Sequence, residues 1–292
     1  MKNILLLGFI TLAAAFTPIF AKITVAEISP LSLGFIRFGA AAVLFYITLK
    51  FRKLDLKFER KDYPLLCFLA LLCIPLNQFF FLTGIKMTYA SHSGIIYSLN
   101  PVYAYIAAVL LKNEKFYYSK LVAILLTIAG IFFVFYESYL KSGSSGILSG
   151  DIYLVFAVLT FSLYLSLGKR MINKYGALKV STFAFVTGSF FYIPLFIYDL
   201  PNFTLAHLTY KGVIGYFFLT IVVAYLAYFA WYYAMKTIHL SRLATLSNIS
   251  PLITVLFSII FLGESVSIYF VIGAIMTIIG VFIMHRVSIE LS

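Results

Sequence analysis

Apolar runs of about twenty residues recur along the chain, and short polar or charged gaps separate them. Crossing ~30 Å of hydrocarbon takes about 20 helical residues at ~1.5 Å rise. By that measure the pattern predicts ten membrane spans, at roughly 3–22, 30–50, 64–85, 91–111, 119–137, 151–168, 180–198, 211–235, 242–262 and 267–285. The gaps leave no room for a soluble domain. The longest are 50–63, dense in charge, and 141–150, a Ser/Gly-rich run suited to a flexible joint. The first apolar run follows Met1 and Lys2 as a signal peptide would, but its small-residue site is poor and nine spans follow, so a retained helix is expected.

The polar punctuation between the apolar runs repeats. Lys86, Ser91, Pro101, Glu114, Thr127-Ile128 and Gly130 reappear 150 positions later as Lys236, Ser241, Pro251, Glu264, Thr277-Ile278 and Gly280, without a gap. Shared Pro, Glu and Lys in strict register point to an internal duplication. The expected fold is therefore an all-α polytopic membrane protein of two five-helix repeats around a central cavity. The first repeat covers 1–140, the linker 141–150 and the second repeat 151–292. Five is odd, so the second repeat enters the membrane upside down. Inverted repeats place a binding site near the midplane and can exchange conformations, which opens one side as the other closes.

Composition agrees with this reading. The chain has 292 residues, 63% hydrophobic and 11% charged, with mean hydropathy +1.03, too few charges to cover a soluble surface. The net charge of +12 lies in the gaps and reads as a topology signal rather than a nucleic-acid surface. With the N-terminus inside, seventeen Lys and Arg fall in cytoplasmic segments against four outside, and Arg37 lies within a span. A multi-pass protein of the cell (inner) membrane is expected, with both termini cytoplasmic and anionic lipids at that face. Cys67 and Cys73 lie six apart in one span, point to different faces and read as small apolar fillers. No residue spacing suggests a metal or other cofactor.

Arg37 is the most informative side chain. It falls about seven residues into span 2, where a charge facing lipid costs at least a few kcal/mol. It is either an anion-binding or gating cation or a structural arginine bonding helix-end carbonyls, with Glu27 its nearest acidic neighbour in sequence. Pro75 removes a backbone hydrogen bond in span 3, and Asn77-Gln78 just beyond it are either partners for the freed carbonyl or solute contacts. The same logic covers Asn100-Pro101 and the group Ser247, Asn248 and Ser250-Pro251. Ser93, Tyr97, Asn100 and Ala104 share one helix face polar enough to line a cavity. Tyr225, Tyr228 and Trp231 in span 8 suit the cavity wall, whereas Tyr232 and Tyr233 fit an interfacial belt. Gln78 and Phe81 are the repeat equivalents of Tyr228 and Trp231, and Thr160 and Tyr164, one turn apart in span 6, are expected to complete the wall. His92 is either proton-linked or an interfacial polar residue. No span carries a mid-membrane Asp or Glu, which argues against a carboxylate-centred proton relay. Glu114 and Glu264 read as structural carboxylates at helix N-termini, and Gly130 and Gly280 as close-packing positions. Pro18, Pro75, Pro101, Pro194 and Pro251 lie within spans as candidate hinges.

The chain resembles the EamA-type transporters of the drug/metabolite transporter superfamily. The matching pieces are Ser29-Pro30-Leu31 followed by Arg37, Ala90-Ser91 leading to Asn100-Pro101 and Glu114, Gly130 and Gly280, and the second-half echo Ser250-Pro251 to Gly263-Glu264. The resemblance implies spans 1–4 and 6–9 around a cavity, spans 5 and 10 as outer supports, and export or exchange of small organic metabolites. One departure is Thr187 where the first half has Arg37. Sugar phosphates would call for several cavity cations, so small neutral or zwitterionic solutes such as amino acids are the expected cargo. The alternative, a membrane-embedded enzyme acting on a lipid-soluble substrate, would require clustered catalytic groups, and the four histidines at 92, 207, 239 and 285 are scattered.

Overall fold

A computed structural model of the chain describes residues 2–110, 115–142, 146–206, 208–237 and 240–290; the side chains of 2–4, 142, 232, 233, 235–237, 240–248, 285 and 287–290 are not described. Among the described residues the regular structure is entirely helical. In chain order the helices are α1 (Lys2–Val25), α2 (Pro30–Phe51), α3 (Tyr63–Leu71), α4 (Asn77–Met87), α5 (Ala90–Tyr97), α6 (Asn100–Leu110), α7 (Tyr118–Ser142), α8 (Ile147–Tyr175), α9 (Ala177–Asp199), α10 (Tyr210–Phe217), α11 (Tyr228–Thr237), α12 (Leu240–Leu262) and α13 (Ile268–Glu290).

Some of these join into longer rods. A π-helical turn, Leu72–Leu76, links α3 to α4, and α5 runs into α6 at Ser98 and Leu99. A second π-segment, Phe218–Ala227, links α10 to α11. Among the described residues, eight stretches are long and apolar enough to cross a bilayer, from Leu5–Val25 to Tyr210–Trp231. The last two expected spans are helical as α12 and α13, but their described apolar stretches, Ile249–Leu262 and Ile268–Met284, are shorter. The chain is a multi-pass membrane protein. One face of α7 carries exposed Val122, Leu125, Phe132 and Tyr139, as a lipid-facing surface should.

The π-turn at Pro75 has a local cause. Proline has no N–H to continue the α-ladder, and the chain absorbs the lost bond by widening the turn. The second π-segment contains no proline, yet a shift of 150 residues carries Leu72–Leu76 inside it. Pro18, Pro194 and Pro251 lie inside α1, α9 and α12, and Pro101 occupies the first turn of α6, where its missing donor costs least.

The closing helices α7 and α13 pack antiparallel through glycine. A methyl at Gly130 would collide with Thr277 and the carbonyl of Gly273, and one at Gly280 with Thr127 and the carbonyl of Ala123. The contacts are reciprocal under the 150-residue offset: Gly130 meets Thr277 as Gly280 meets Thr127. Each threonine hydroxyl bonds back to its own helix, Thr127 to the Ala123 carbonyl and Thr277 to the Gly273 carbonyl, which removes the need for a partner in lipid.

The end of the bundle where α1 gives way to α2, called here the Glu27 end, is laced across its helices. Lys22 Nζ donates to the carbonyls of Ile85 (3.0 Å), Lys86 (3.1 Å) and Thr88 (2.5 Å). Asp199 accepts from the hydroxyls of Ser29 and Ser32 and from the Ser32 amide. Glu27 accepts from the amide and hydroxyl of Thr209, so it is not the partner of Arg37 that its place in the sequence suggested. Lys141 pairs with Glu137 (2.5 Å) and donates to the Ser265 carbonyl. Glu264 does bond N-terminal amides, but those of α5, at Ala90 and Ser91, rather than those of the helix it precedes. Glu114 lies outside the described residues. Glu264→Ala should therefore strip the α5 cap and cost about 1–2 kcal/mol, measured as a fall of several degrees in the unfolding midpoint in detergent.

The opposite, Asp62 end is tied between the segment that precedes α3 and the helices α8 and α9. Asp62 accepts from Lys174 (2.7 Å) and Tyr175 (2.6 Å), and Lys179 reaches Asp55 (2.7 Å). Glu59 sits between Lys174 and Lys61, whose hydrogen bonds hold its carboxyl below the usual carboxylate range.

Candidate functional site

A cavity of about 310 Å³ lies inside the bundle, walled by α1, α2, α4, α5, α6, α8, α11, α12 and the second π-segment. It begins at Ser93 and Gly94, in the first turn of α5, and reaches Ile10, Leu165 and Trp231 on the Asp62 side. The helix α9, expected to share in the wall, contributes no described lining residue. It packs on α2 instead, with Phe35 stacked on Phe196 and Phe185 against Phe38 and Phe45. The pair α7 and α13 also stands clear of the cavity.

Arg37 is the one charged residue on the described wall and is only 2% exposed. Its Nε donates to the carbonyl of Leu219 (3.0 Å) and Nη1 to Gln78 Oε1 (3.4 Å). Leu219 belongs to the π-segment Phe218–Ala227, a departure from the α-ladder into which a side-chain donor can insert. The relay continues from Gln78 Nε2 to Asn77 Oδ1 (2.6 Å) and from Asn77 Nδ2 to the Ala157 carbonyl of α8 (2.7 Å). The amides therefore join α2, α4 and α8 and leave the Pro75 kink to its own backbone. The carboxylates of Glu27, Asp151, Asp199 and Glu264 are all engaged elsewhere, so no described acidic side chain neutralises Arg37.

Other predicted residues gather on the same wall. Phe81 meets Tyr97 edge to face (5.7 Å), and Tyr228 stands beside Ala227 and Trp231. Asn100 Oδ1 accepts from Ser162 of α8 (2.5 Å). Pro18 and Pro251 also line the cavity. Ser93 lines it too, and its buried hydroxyl has no partner among the described residues.

Three predicted wall residues point elsewhere. Thr160 bonds back to the carbonyls of Phe156 and Ala157. Tyr164 is buried among the core residues that include Cys73, and Tyr225 pairs its hydroxyl with Thr48 (2.7 Å). Ala104 is off the wall as well. The side chains of Ser247, Asn248, Tyr232 and Tyr233 lie outside the described residues. Thr17, Gly94, Phe161 and Thr254 are lining residues that the sequence did not single out; Thr254 donates to the Ala15 carbonyl (2.9 Å) and ties α12 to α1.

His92 is neither on this wall nor at an exposed interface. It is 1% exposed, with Nδ1 3.1 Å from Asp151 Oδ2. Asp151 itself is fully buried in the second turn of α8. A span drawn from 151 put that carboxylate at the membrane surface, but the helix starts one turn earlier.

Comparison with known proteins places this geometry. The chain is 28% identical over 284 residues to an uncharacterized transporter of Archaeoglobus fulgidus, covering 97% of this chain and 96% of that one. It is 27% identical to the uncharacterized transporter YyaM of Bacillus subtilis, with 95% and 91% covered. A solved crystal structure superimposes with TM-score 0.67 over 100% of this chain and 99% of its own, at 14% identity, which bears on the fold alone. The model of the EamA-like transporter family matches residues 1–136 and residues 148–286. With its wall of helices around a cavity and a match over both halves, the chain belongs to the EamA-like transporter family.

Proposed function

We propose that the chain is a secondary transporter exporting small neutral or zwitterionic organic metabolites, amino acids among them, by alternating access between two inverted five-helix repeats. The observation that carries the cargo class is Arg37: one buried guanidinium on an otherwise mostly apolar wall, without a carboxylate partner among the described residues. A buried cation lacking a counter-charge is costly, and a solute carboxylate would supply one in the geometry guanidinium favours. Asn77, Gln78, Asn100 and the free Ser93 hydroxyl offer neutral hydrogen-bonding groups, and Phe81, Tyr97, Tyr228 and Trp231 offer ring surface. A phosphate dianion would need more positive charge than this wall carries, and ~300 Å³ is the small end of solute pockets.

Repeat, charge count and lacing support the transport cycle. The sequence offset of 150 residues, the π-segments at matching positions and the reciprocal glycine contacts favour duplication. The Lys/Arg bias favours the Glu27 end outside and both termini in the cytoplasm. With that orientation, the hydrogen bonds across the Glu27 end support a state closed to the exterior. Counter-exchange in liposomes tests the proposal, using a panel of labelled amino acids with and without a pH gradient, and a labelled sugar phosphate beside them. At least one amino acid should exchange above the empty-liposome rate. Exchange of the sugar phosphate alone would overturn the cargo class, and no exchange by any solute would overturn transport of this class.

A further inference from the structure

We propose that His92 and Asp151 form a proton-binding site that latches the Glu27 end shut, an inference that rests on the alternating-access reading above. The site is built from five elements. The His92 ring, in the first turn of α5, stacks on Phe270 of α13 (5.2 Å, 16°) and tilts against Tyr89. Its Nδ1 faces both Asp151 oxygens of α8 (3.2 and 3.1 Å). Thr88, at the C-terminal cap of α4, donates to Asp151 Oδ1 (2.5 Å), and Ser138 of α7 donates to Oδ2.

The hydroxyls of Thr88 and Ser138 thus both give a hydrogen to Asp151, an arrangement that suits the ionised carboxylate. The other charges near this turn are committed. Lys141 is paired with Glu137 and lies over the Tyr89 ring (4.9 Å). Lys22 is held by the carbonyls of Ile85, Lys86 and Thr88, and Glu264 by the amides of Ala90 and Ser91. Among the described residues, His92 is the group within ion-pair distance of Asp151. With the imidazole protonated, the pair is neutral overall and can stay buried. With it deprotonated, a carboxylate is left in a dry site without a counter-charge, which costs several kcal/mol and is relieved by letting water in.

Water reaches the pair only if the helices part at this end. Parting them moves Ser93 and Gly94, the next residues of α5, which line the cavity. The bound proton is therefore coupled to the outer door. If opening releases the one proton that the closed pair holds, the open form gains as pH rises, by at most about tenfold per pH unit. In the sequence, Arg242 stands 150 positions after His92; an arginine keeps its charge throughout this range, so the second half lacks the same switch.

The test reads access to one thiol. Ser93→Cys is placed in a Cys67→Ala, Cys73→Ala background, and the full chain is reconstituted in vesicles of phosphatidylethanolamine and phosphatidylglycerol with known sidedness. A membrane-impermeant maleimide is added from the Glu27 face between pH 5.5 and 8.5. Each rate is divided by that of the denatured protein at the same pH, which removes the ionisation of the thiol itself. Labelling should rise about tenfold across the range with His92 and Asp151 intact. It should be high and flat in His92→Gln and should lose or reverse its rise in Asp151→Asn, where a protonated imidazole has no counter-charge, while Ser138→Ala, which removes a hydrogen bond but no titratable group, should keep the slope. A flat profile with the pair intact overturns the proposal, as does an unchanged slope in either variant of the pair. A retained slope without any amino-acid exchange would leave the latch standing and remove the cargo reading; exchange with a flat profile would do the reverse.

Discussion

Arg37→Gln should lower exchange of carboxylate-bearing solutes by roughly 10- to 150-fold, while solutes without a carboxylate lose far less. The range follows from hydrogen bonds to charged groups, worth about 1.5–3 kcal/mol, at ~1.4 kcal/mol per factor of ten. The substitution should leave the fold nearly as stable as before, because two opposed effects meet there. Losing the bond to the Leu219 carbonyl costs about 1–3 kcal/mol, and removing a buried cation without a counter-charge gives back a similar amount. Arg37→Lys keeps the charge but not the fork and should fall between. Exchange in liposomes and the unfolding midpoint in detergent separate these outcomes. A folded Arg37→Gln protein that still exchanges carboxylates within threefold of the original rate would reduce Arg37 to a helix strap.

The second large effect lies far from the cavity. Gly130→Val and Gly280→Val should each cost about 3 kcal/mol or more, since the added methyls meet backbone oxygens that cannot rotate away. The two losses should match, because the Gly130 and Gly280 contacts are mirror versions of one another. Unfolding midpoints and yields of the two variants measure this directly. A tolerated valine at either site would contradict the close α7–α13 approach, and a loss at only one site would contradict the pairing.

Some of this could be read from the residues and some could not. All ten apolar runs are helical, and among the described residues eight are long and apolar enough to cross a bilayer, because length and hydropathy are legible in sequence. Arg37, Asn77, Gln78, Tyr97, Asn100, Tyr228 and Trp231 could be singled out because polar or amphipathic groups deep in an apolar run must face something other than lipid. Which way a residue faces was harder. A helix apolar all round carries no stripe to tell lipid from core, so Thr160, Tyr164 and Tyr225 looked like wall residues although each turns to a carbonyl, a thiol-lined core or a neighbouring hydroxyl. Asp151 and Asp199 escaped notice for the opposite reason. Carboxylates at span ends are ordinary, and only the packing around them shows that these two are buried. The π-segment at 218–227 has no proline to announce it, so the carbonyl that receives Arg37 was invisible in the sequence.

The lacing of the Glu27 end also has a kinetic side. Lys22, Asp199, Glu27, Glu264 and Lys141 each bridge different helices there, so separating them requires many bonds to yield within one event. Such an event has a high barrier even when its end states are nearly equal in free energy. Turnover should then be paced by unfastening this end rather than by how tightly the cargo is gripped, and tighter-binding solutes need not travel faster.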